Sequence, residues 1–221
     1  METYSVRFFS VSSITKISMN LDADLLESVK AGEPQAYRSW EAKRTTVVLG
    51  RANKADVEVY EQQCKADKVP VVRRYGGGGT VLLSPGVLVV SLLTHVEQRY
   101  HFREYFRQIN DYIIEALRTA GVAKLTQQGI SDICLRQRKI LGSCMYRSKD
   151  VLFYTASLMV SNDLQLLDRY LKHPSQEPDY RQGRPHRDFV TTIQREYPAM
   201  TCQRIRRVLD RTLPIRLAEI T

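Results

Sequence analysis

Long apolar runs are missing from this chain of 221 residues. None approaches the roughly 18 residues that a membrane span requires, so no membrane role is expected. The N-terminal stretch Met1-Glu-Thr-Tyr-Ser-Val-Arg-Phe-Phe-Ser10 carries an acid at position 2 and no sustained apolar segment. That argues against a secretory signal, and the expected location is cytoplasmic. Cysteine is scarce, with only Cys64, Cys134, Cys144 and Cys202. No two have Cys-x-x-Cys spacing and no histidine sits at a zinc-like offset. A disulfide frame and a structural zinc site are therefore not expected. The thiols read as small buried hydrophobes, with Cys144 kept open as the exception. Internal repeats and low-complexity tracts are also missing, apart from one run of glycine. Acidic residues are outnumbered, 24 against 33 basic, for a net charge of +9. Such a chain attracts anions, whether small molecules, acidic proteins or nucleic acid. The excess gathers in Arg136, Arg138, Lys139, Arg147 and Lys149; in Arg181, Arg184 and Arg187; and in Arg204, Arg206, Arg207 and Arg211. Any one of these runs can equally be a solvated face.

What is present describes an ordinary globular chain, 43% hydrophobic and 26% charged. Its length suits one sizeable domain, expected to span 1–221 without an accessory domain. Apolar spacing predicts a helix over 21–30, capped by Asn20, with Leu21, Leu25, Leu26 and Val29 on one face. Thr45–Leu49 and Pro70–Arg73 read as strands, and the polar stretch 54–67 as helical. Thr80–Leu83 and Val87–Leu93 read as a hairpin around Ser84-Pro85-Gly86. Apolar residues from Phe102 to Ala120 recur at three and four, and Gly121 closes that helix. A second β region follows at Ser131–Leu135, Lys139–Arg147 and Val151–Val160. Asp163 caps a helix carrying Leu164, Leu167, Tyr170 and Leu171. Residues 173–188 are long, polar and without period, as functional or disordered loops are. Cys202–Leu213 reads as a basic amphipathic helix. The expected fold is α+β, with mostly antiparallel or mixed β-sheets flanked by helices.

Three features carry chemistry. The first is Arg73-Arg74-Tyr-Gly-Gly-Gly-Gly-Thr80. Four glycines inside β-branched sequence weaken a sheet by about 0.5–1 kcal/mol each. A chain that tolerates them uses the missing side chains to bring backbone N–H groups close to a ligand. The adjacent guanidiniums suggest that the ligand is anionic. The second feature is Asp132, ahead of a turn. The third is Lys139, at the start of a strand and followed by Gly142 and Ser143. A lysine ammonium is a compact charge that can neutralise an attacking carboxylate and then stabilise developing phosphate charge. Asp132 opposite it can orient the ammonium or help hold Mg²⁺.

Together these residues resemble the lipoate-protein ligase family, within the wider group of biotin protein ligases and octanoyltransferases. The resemblance is carried by Gly50-Arg51-x-Asn53, the Arg73–Val81 segment, Ser131-Asp132, Lys139-Ile-Leu-Gly-Ser143, Ser157-Leu-Met-Val-Ser-Asn-Asp163 and Asp179–Val190. It runs from about residue 20 to the end. It implies a biotin/lipoate ligase-like catalytic domain that forms an acyl adenylate from lipoate (or octanoate) and ATP. The acyl group then passes to the lysine of a lipoyl domain, of the 2-oxoacid dehydrogenase acyltransferase or glycine-cleavage H protein type. Lys139 matches the family's catalytic lysine. Asp132 matches the second residue of its Asn-Asp pair, with Ser131 in the first place, and is the candidate Mg²⁺ ligand. Arg73, Gly76, Gly77, Gly78, Gly79, Thr80, Gly142, Ser143 and Ser157 are the expected acyl- and nucleotide-binding positions. Val81, Leu83 and Val89 are candidate walls for the aliphatic tail, and equally good core residues. A separate accessory-domain subunit is a further expected partner.

Two alternatives stay open. An octanoyltransferase working through a cysteine thioester would need that cysteine near 125–130 or within 161–190, and neither stretch has one. Cys144 lies in the lysine strand and Cys134 in an apolar strand. A non-catalytic basic binding module is the other. Its nucleic-acid form would interleave aromatic and basic residues on an exposed sheet, whereas the tyrosines here fall mostly on helical core positions, so nucleic acid is disfavoured. No Gly-Arg-Gly-Arg-type loop supports a biotin ligase.

Overall fold

The structure, a computed structural model, describes residues 21–98 and 100–220. Among the described residues two sheets form, one of six strands and one of three, with helices packed around them. The large sheet has the order β1 (Gln35–Glu41), β5 (Val87–His95), β9 (Val151–Met159), β8 (Arg138–Ser148), β7 (Asp132–Leu135), β6 (Leu125–Gln128). Every neighbouring pair in it is antiparallel. The small sheet places β2 (Thr46–Leu49) between β3 (Val71–Arg73), to which it is parallel, and β4 (Val81–Leu83), to which it is antiparallel. The expected α+β class with mixed sheets is what forms.

The main core lies on one face of the large sheet. Leu88, Leu92, Ile133, Leu141, Leu152, Tyr154 and Leu158 point there from the strands. Two long helices cover them: α4 (Phe102–Thr119) with Ile109, Ile113 and Leu117, and α8 (Cys202–Leu217) with Ile205, Leu209, Leu213 and Leu217. Alternate residues of the same strands form the opposite face. There the small sheet packs Val48, Val72 and Leu83 on Val87 and Val89. Beside it α1 (Ala23–Lys30) packs Leu26 and Val29 on Leu93, Val151 and Phe153. The cap residue of α1 is Asp22, at φ 60°, and the expected cap Asn20 lies outside the described residues. The Asp22 carboxylate accepts from Arg38 Nη1 (3.0 Å), Trp40 Nε1 (3.1 Å) and Ser91 Oγ (2.6 Å), and this ties the helix to β1 and β5.

The expected hairpin around Ser84-Pro85-Gly86 does not form. β4 stays in the small sheet, and β5 enters the centre of the large one. The reason is written in β5, where every residue but His95 is buried. A strand apolar on both faces belongs mid-sheet between two layers, not in a half-exposed ribbon. Gly86 turns this corner at φ +91°, and a side chain there would meet Asn162 N at 2.4 Å. The helical stretch expected at 54–67 is two short helices, α2 (Ala55–Glu58) and α3 (Glu61–Ala66). Extended Val59 separates them by bridging to Leu171, just beyond α5 (Gln165–Tyr170). Strands β1 and β6, at the two edges of the large sheet, were not legible as strands. Residues 173–188 are ordered around a 3₁₀ turn, Asp179–Arg181, and α6 (His186–Phe189). α7 (Ile193–Glu196) and α8 follow, and α8 runs four residues past the expected Leu213, since Leu217 still packs into the core. Among the described residues no helix is long and apolar enough to cross a membrane.

Candidate functional site

The polyglycine loop joins β3 to β4 and lies over β8. Its four glycines divide into two kinds. At Gly76 a side chain would meet Cys144 Sγ at 2.7 Å, and Gly78 has φ +81°. These two need glycine for packing and for backbone conformation. A side chain at Gly77 or Gly79 would meet nothing within 4 Å, so their backbone faces open space. The Gly50-Arg51-x-Asn53 turn supports the loop from below. Gly50 N donates to Asn53 Oδ1 (2.8 Å), Arg51 N donates to Gly76 O (3.0 Å), and a side chain at Gly50 would strike Gly78 O.

The two arginines beside the loop act as braces. Arg73 Nη1 donates to the carbonyls of Gly50 (2.8 Å), Arg51 (2.9 Å) and Asn53 (2.7 Å). Arg74 Nη2 donates to Gly77 O (2.5 Å) and Gly79 O (2.8 Å), and its Nη1 to Val48 O (3.3 Å). A loop without side chains leaves many carbonyls bare, and a guanidinium brings several donors to satisfy them. Their charge stays beside the loop, but these donors hold protein backbone. Thr80 Oγ1, at the loop's exit, is buried with no hydrogen-bond partner among the described residues.

Lys139 reaches the same side of the large sheet through a β-bulge. Asp132 pairs with Gly142 and Ile133 with Leu141, but Cys134 pairs with Lys139, leaving Ile140 as the extra residue. Ile140 and Leu141 both enter the main core, each 0% exposed. Lys139 is thereby rotated onto the face shared by Asp132 and Gly142, which strict alternation would have denied it. Its Nζ lies 2.9 Å from Asp132 Oδ1. A side chain at Gly142 would sit 2.7 Å from Nζ and 2.8 Å from Cε, so the missing side chain is the space the lysine occupies. Tyr180 Oη donates to the other carboxylate oxygen, Asp132 Oδ2, at 2.7 Å. Cys134 Sγ donates to Tyr180 Oη at 3.7 Å. Burial, with the Asp132 charge behind it, holds the Tyr180 phenol far above its ordinary value, so it stays protonated and donates. Burial also pushes the Cys134 thiol up to about 11.

The residues expected at the site are partly brought together. Asp132, Gly142 and Ser157 face one another across β7, β8 and β9, with Ser157 Oγ 3.4 Å from Gly142 O. Cys144 lies two residues further along β8 on the same face, about 7 Å away by strand rise. Ser143 does not join them. Its strand neighbour Ala156 belongs to the main core, and its hydroxyl donates to Ser131 O at 2.8 Å. Adjacent strand residues face opposite sides of the sheet, so the Ser143 side chain points away from the face that Gly142 leaves open. Leu83 and Val89 are 4% and 1% exposed between the two sheets, with Val81 packed against that cluster. The cleft under the glycine loop is lined instead by Leu21, Tyr75, Cys144, Tyr146, Phe153 and Thr155, together with Arg74 and Gly76. Tyr75 stacks on Tyr146 with ring centres 5.2 Å apart. These aromatics, and Tyr180, are the site residues sequence reasoning missed.

Asp132 Oδ1 meets Lys139 and Oδ2 accepts from Tyr180, and no group of three metal-ligating side chains exists among the described residues. A Mg²⁺ carried by a nucleotide takes one or two carboxylates beside its phosphates, so holding the lysine leaves Asp132 a candidate for that ion.

An anchored lysine thus shares one face of the large sheet with a side-chain-free loop braced by arginines and the aromatic cleft beneath that loop. Residues 15–213 match the lipoyl protein ligase A/B catalytic domain. The chain belongs to that family. Lipoate-protein ligase 1 of Staphylococcus aureus is 31% identical over 171 residues, covering 76% of the chain and 50% of that relative. The chain thus spans about half the length of that protein. Among solved structures, lipoate-protein ligase A with bound ATP superposes with a TM-score of 0.75 at 23% identity, covering 89% of this chain and 78% of the other. The bi-partite lipoate protein ligase of Thermoplasma acidophilum, solved in work that includes its E2 lipoyl domain, gives 0.73 at 21%, covering 85% and 72%. At these identities the structural likeness establishes the fold.

Proposed function

We propose that this domain activates a lipoyl-type medium-chain acid with ATP and passes the acyl group to a lysine on a lipoyl domain, in the cytoplasm. The observation that carries the reading is the Lys139 ammonium held over side-chain-free Gly142, beside an aromatic cleft under the polyglycine loop. The cleft takes the apolar tail and leaves the acid's carboxylate near Gly142. That carboxylate attacks the α-phosphorus of ATP, the bond to the β-phosphate breaks, and pyrophosphate leaves. The acceptor amine then attacks the acyl carbon, loses a proton, and AMP leaves. Lys139 neutralises the carboxylate and phosphate oxygens as they crowd together, in a site where such charge stabilisation is worth far more than in water. The backbone at Gly77 and Gly79 and the unpartnered Thr80 hydroxyl supply donors for the nucleotide.

The matched S. aureus protein is named a lipoate-protein ligase, and the matched structures include one with ATP bound and one of a bi-partite ligase. These support ATP and lipoate as substrates, a lipoyl-domain acceptor and a second subunit as partner. The excess of basic residues suits an acidic acceptor, whose approach it would steer.

The test incubates the chain with ATP, Mg²⁺, lipoate or octanoate, and a lipoyl domain. Acceptor mass and acid-dependent exchange of pyrophosphate into ATP are then followed. Both are expected, and Lys139→Ala is expected to lower exchange by about 10²–10³-fold. Cys144 lines the cleft, and this favours a second reading as an acyl-carrier-dependent octanoyltransferase. Transfer from octanoyl carrier protein without ATP, lost in Cys144→Ser, would establish that reading and overturn the first.

A further inference from the structure

Tyr180 sits in the one long segment that no sequence period explained. The segment is built to hold it. Arg184 Nη2 donates to Tyr180 O (2.8 Å) and Arg184 Nε to Arg181 O (3.0 Å), while Arg181 Nε donates back to Arg184 O (2.9 Å). Both guanidiniums lie over the Phe189 ring, at 4.7 and 5.3 Å, and the Tyr180 ring packs on Phe189 at 5.2 Å. On its other side the Tyr180 ring fits against Gly129, where a side chain would come within 3.5 Å of it. The phenol is thus fixed at its edges, and its hydroxyl meets Asp132 Oδ2 while Lys139 meets Oδ1. Upstream, Cys134 donates to the phenol oxygen, so the donor direction runs from Cys134 through Tyr180 to Asp132.

We propose that Tyr180 is a positioning residue: by occupying one oxygen of Asp132 it fixes the carboxylate's rotation, and so holds the Lys139 ammonium over Gly142. The segment 173–188 thereby sets the alignment of the reacting lysine, with the Tyr180 hydroxyl acting through Asp132. Without the hydroxyl the carboxylate can turn about its own bond, and the lysine tip follows it away from the gap above Gly142. Misplacement of a catalytic group on this scale costs rate rather than substrate affinity. The inference rests on the acyl-activation reading for its kinetic arm alone.

Tyr180→Phe keeps the ring against Phe189 and Gly129 and deletes the hydroxyl, which donates to Asp132 and accepts the weak Cys134 bond. Two measurements are made on the full chain. The first is the rate at which acetic anhydride acetylates Lys139 relative to exposed Lys65, read by peptide mass spectrometry. The variant is expected to raise it several-fold, whatever reaction the protein catalyses. The second is acid-dependent pyrophosphate exchange, in which kcat is expected to fall about 10-fold with little change in KM for ATP. In an Asp132→Asn background the same change is expected to add almost nothing, because both act through one unit. Phe189→Leu keeps the hydroxyl but loosens the seat of the Tyr180 ring, and it is expected to give both effects more weakly. Unchanged Lys139 acetylation in Tyr180→Phe, a larger effect from Phe189→Leu than from Tyr180→Phe, or losses that add in the double variant would each overturn the inference. Absence of exchange in the unmodified protein would count against the proposed reaction instead, leaving the acetylation result to decide Tyr180.

Discussion

The two faces of β8 and β9 are made from alternate residues of the same strands, yet they follow different rules. One face presents Leu141, Tyr154, Ala156 and Leu158 to α4 and α8, all at 1% exposure or less. The other presents Gly142, Cys144, Thr155 and Ser157 to a loop and a cleft. On the first, side chains fill space and the helices close over them. On the second, a missing side chain makes room for Lys139. A strand's period of two thus lets one segment carry stability and chemistry side by side, each position assigned to only one of them.

That division can be broken by substitution on either face. The largest effect is expected from Gly142→Ala. Its new methyl group would contest the position of Lys139 Nζ and Cε, which are the flexible end of a side chain and can move aside. Exchange activity should therefore fall about 10²-fold, while the melting temperature stays nearly unchanged; a large melting shift with intact activity would dissolve the contrast. Next is Leu158→Ala on the other face. Deleting a fully buried leucine should cost about 3 kcal/mol in denaturant unfolding, while the folded fraction keeps its specific activity. A smaller effect sharpens the picture of the cleft. Cys64, Cys134 and Cys202 are buried, and burial pushes each up to about 11. Iodoacetamide at pH 8 should therefore label the half-buried Cys144 first, and bound lipoate or octanoate should slow that labelling several-fold. Labelling indifferent to the acid would place the tail elsewhere.

Much of the fold was legible because it rests on local period: α4, α8, β7, β8 and β9 all appear near where their apolar spacing puts them. What escaped has physical causes. β1, Gln35–Glu41, and β6, Leu125–Gln128, are edge strands whose polar residues are tolerated by exposure on one side. The hairpin reading of β4 and β5 failed because two apolar runs joined by a tight turn do not reveal whether they share a sheet. At the site, Asp132, Lys139 and the glycine loop could be named from residue type and from family resemblance. Ser143 was misplaced because the motif was read as a string, while its residues alternate between faces. Tyr180 fell inside a segment that the resemblance marked, but nothing singled it out there, since its partner is 48 residues away and only the folded chain brings the two together. That Arg73 and Arg74 brace the loop was not legible either, because the sequence does not show which carbonyls a polyglycine loop leaves unsatisfied.

The extra residue in β8 makes the placement of the reactive amine a matter of parity. The bulge is what keeps the ammonium on the cleft face: deleting Ile140 would leave Lys139 beside Leu141 in plain alternation and still on that face, whereas ironing the bulge out with Ile140 kept would turn the ammonium through the sheet toward the leucine layer under α4 and α8. The placement is therefore all or nothing, and it is set by where the strand absorbs its surplus residue.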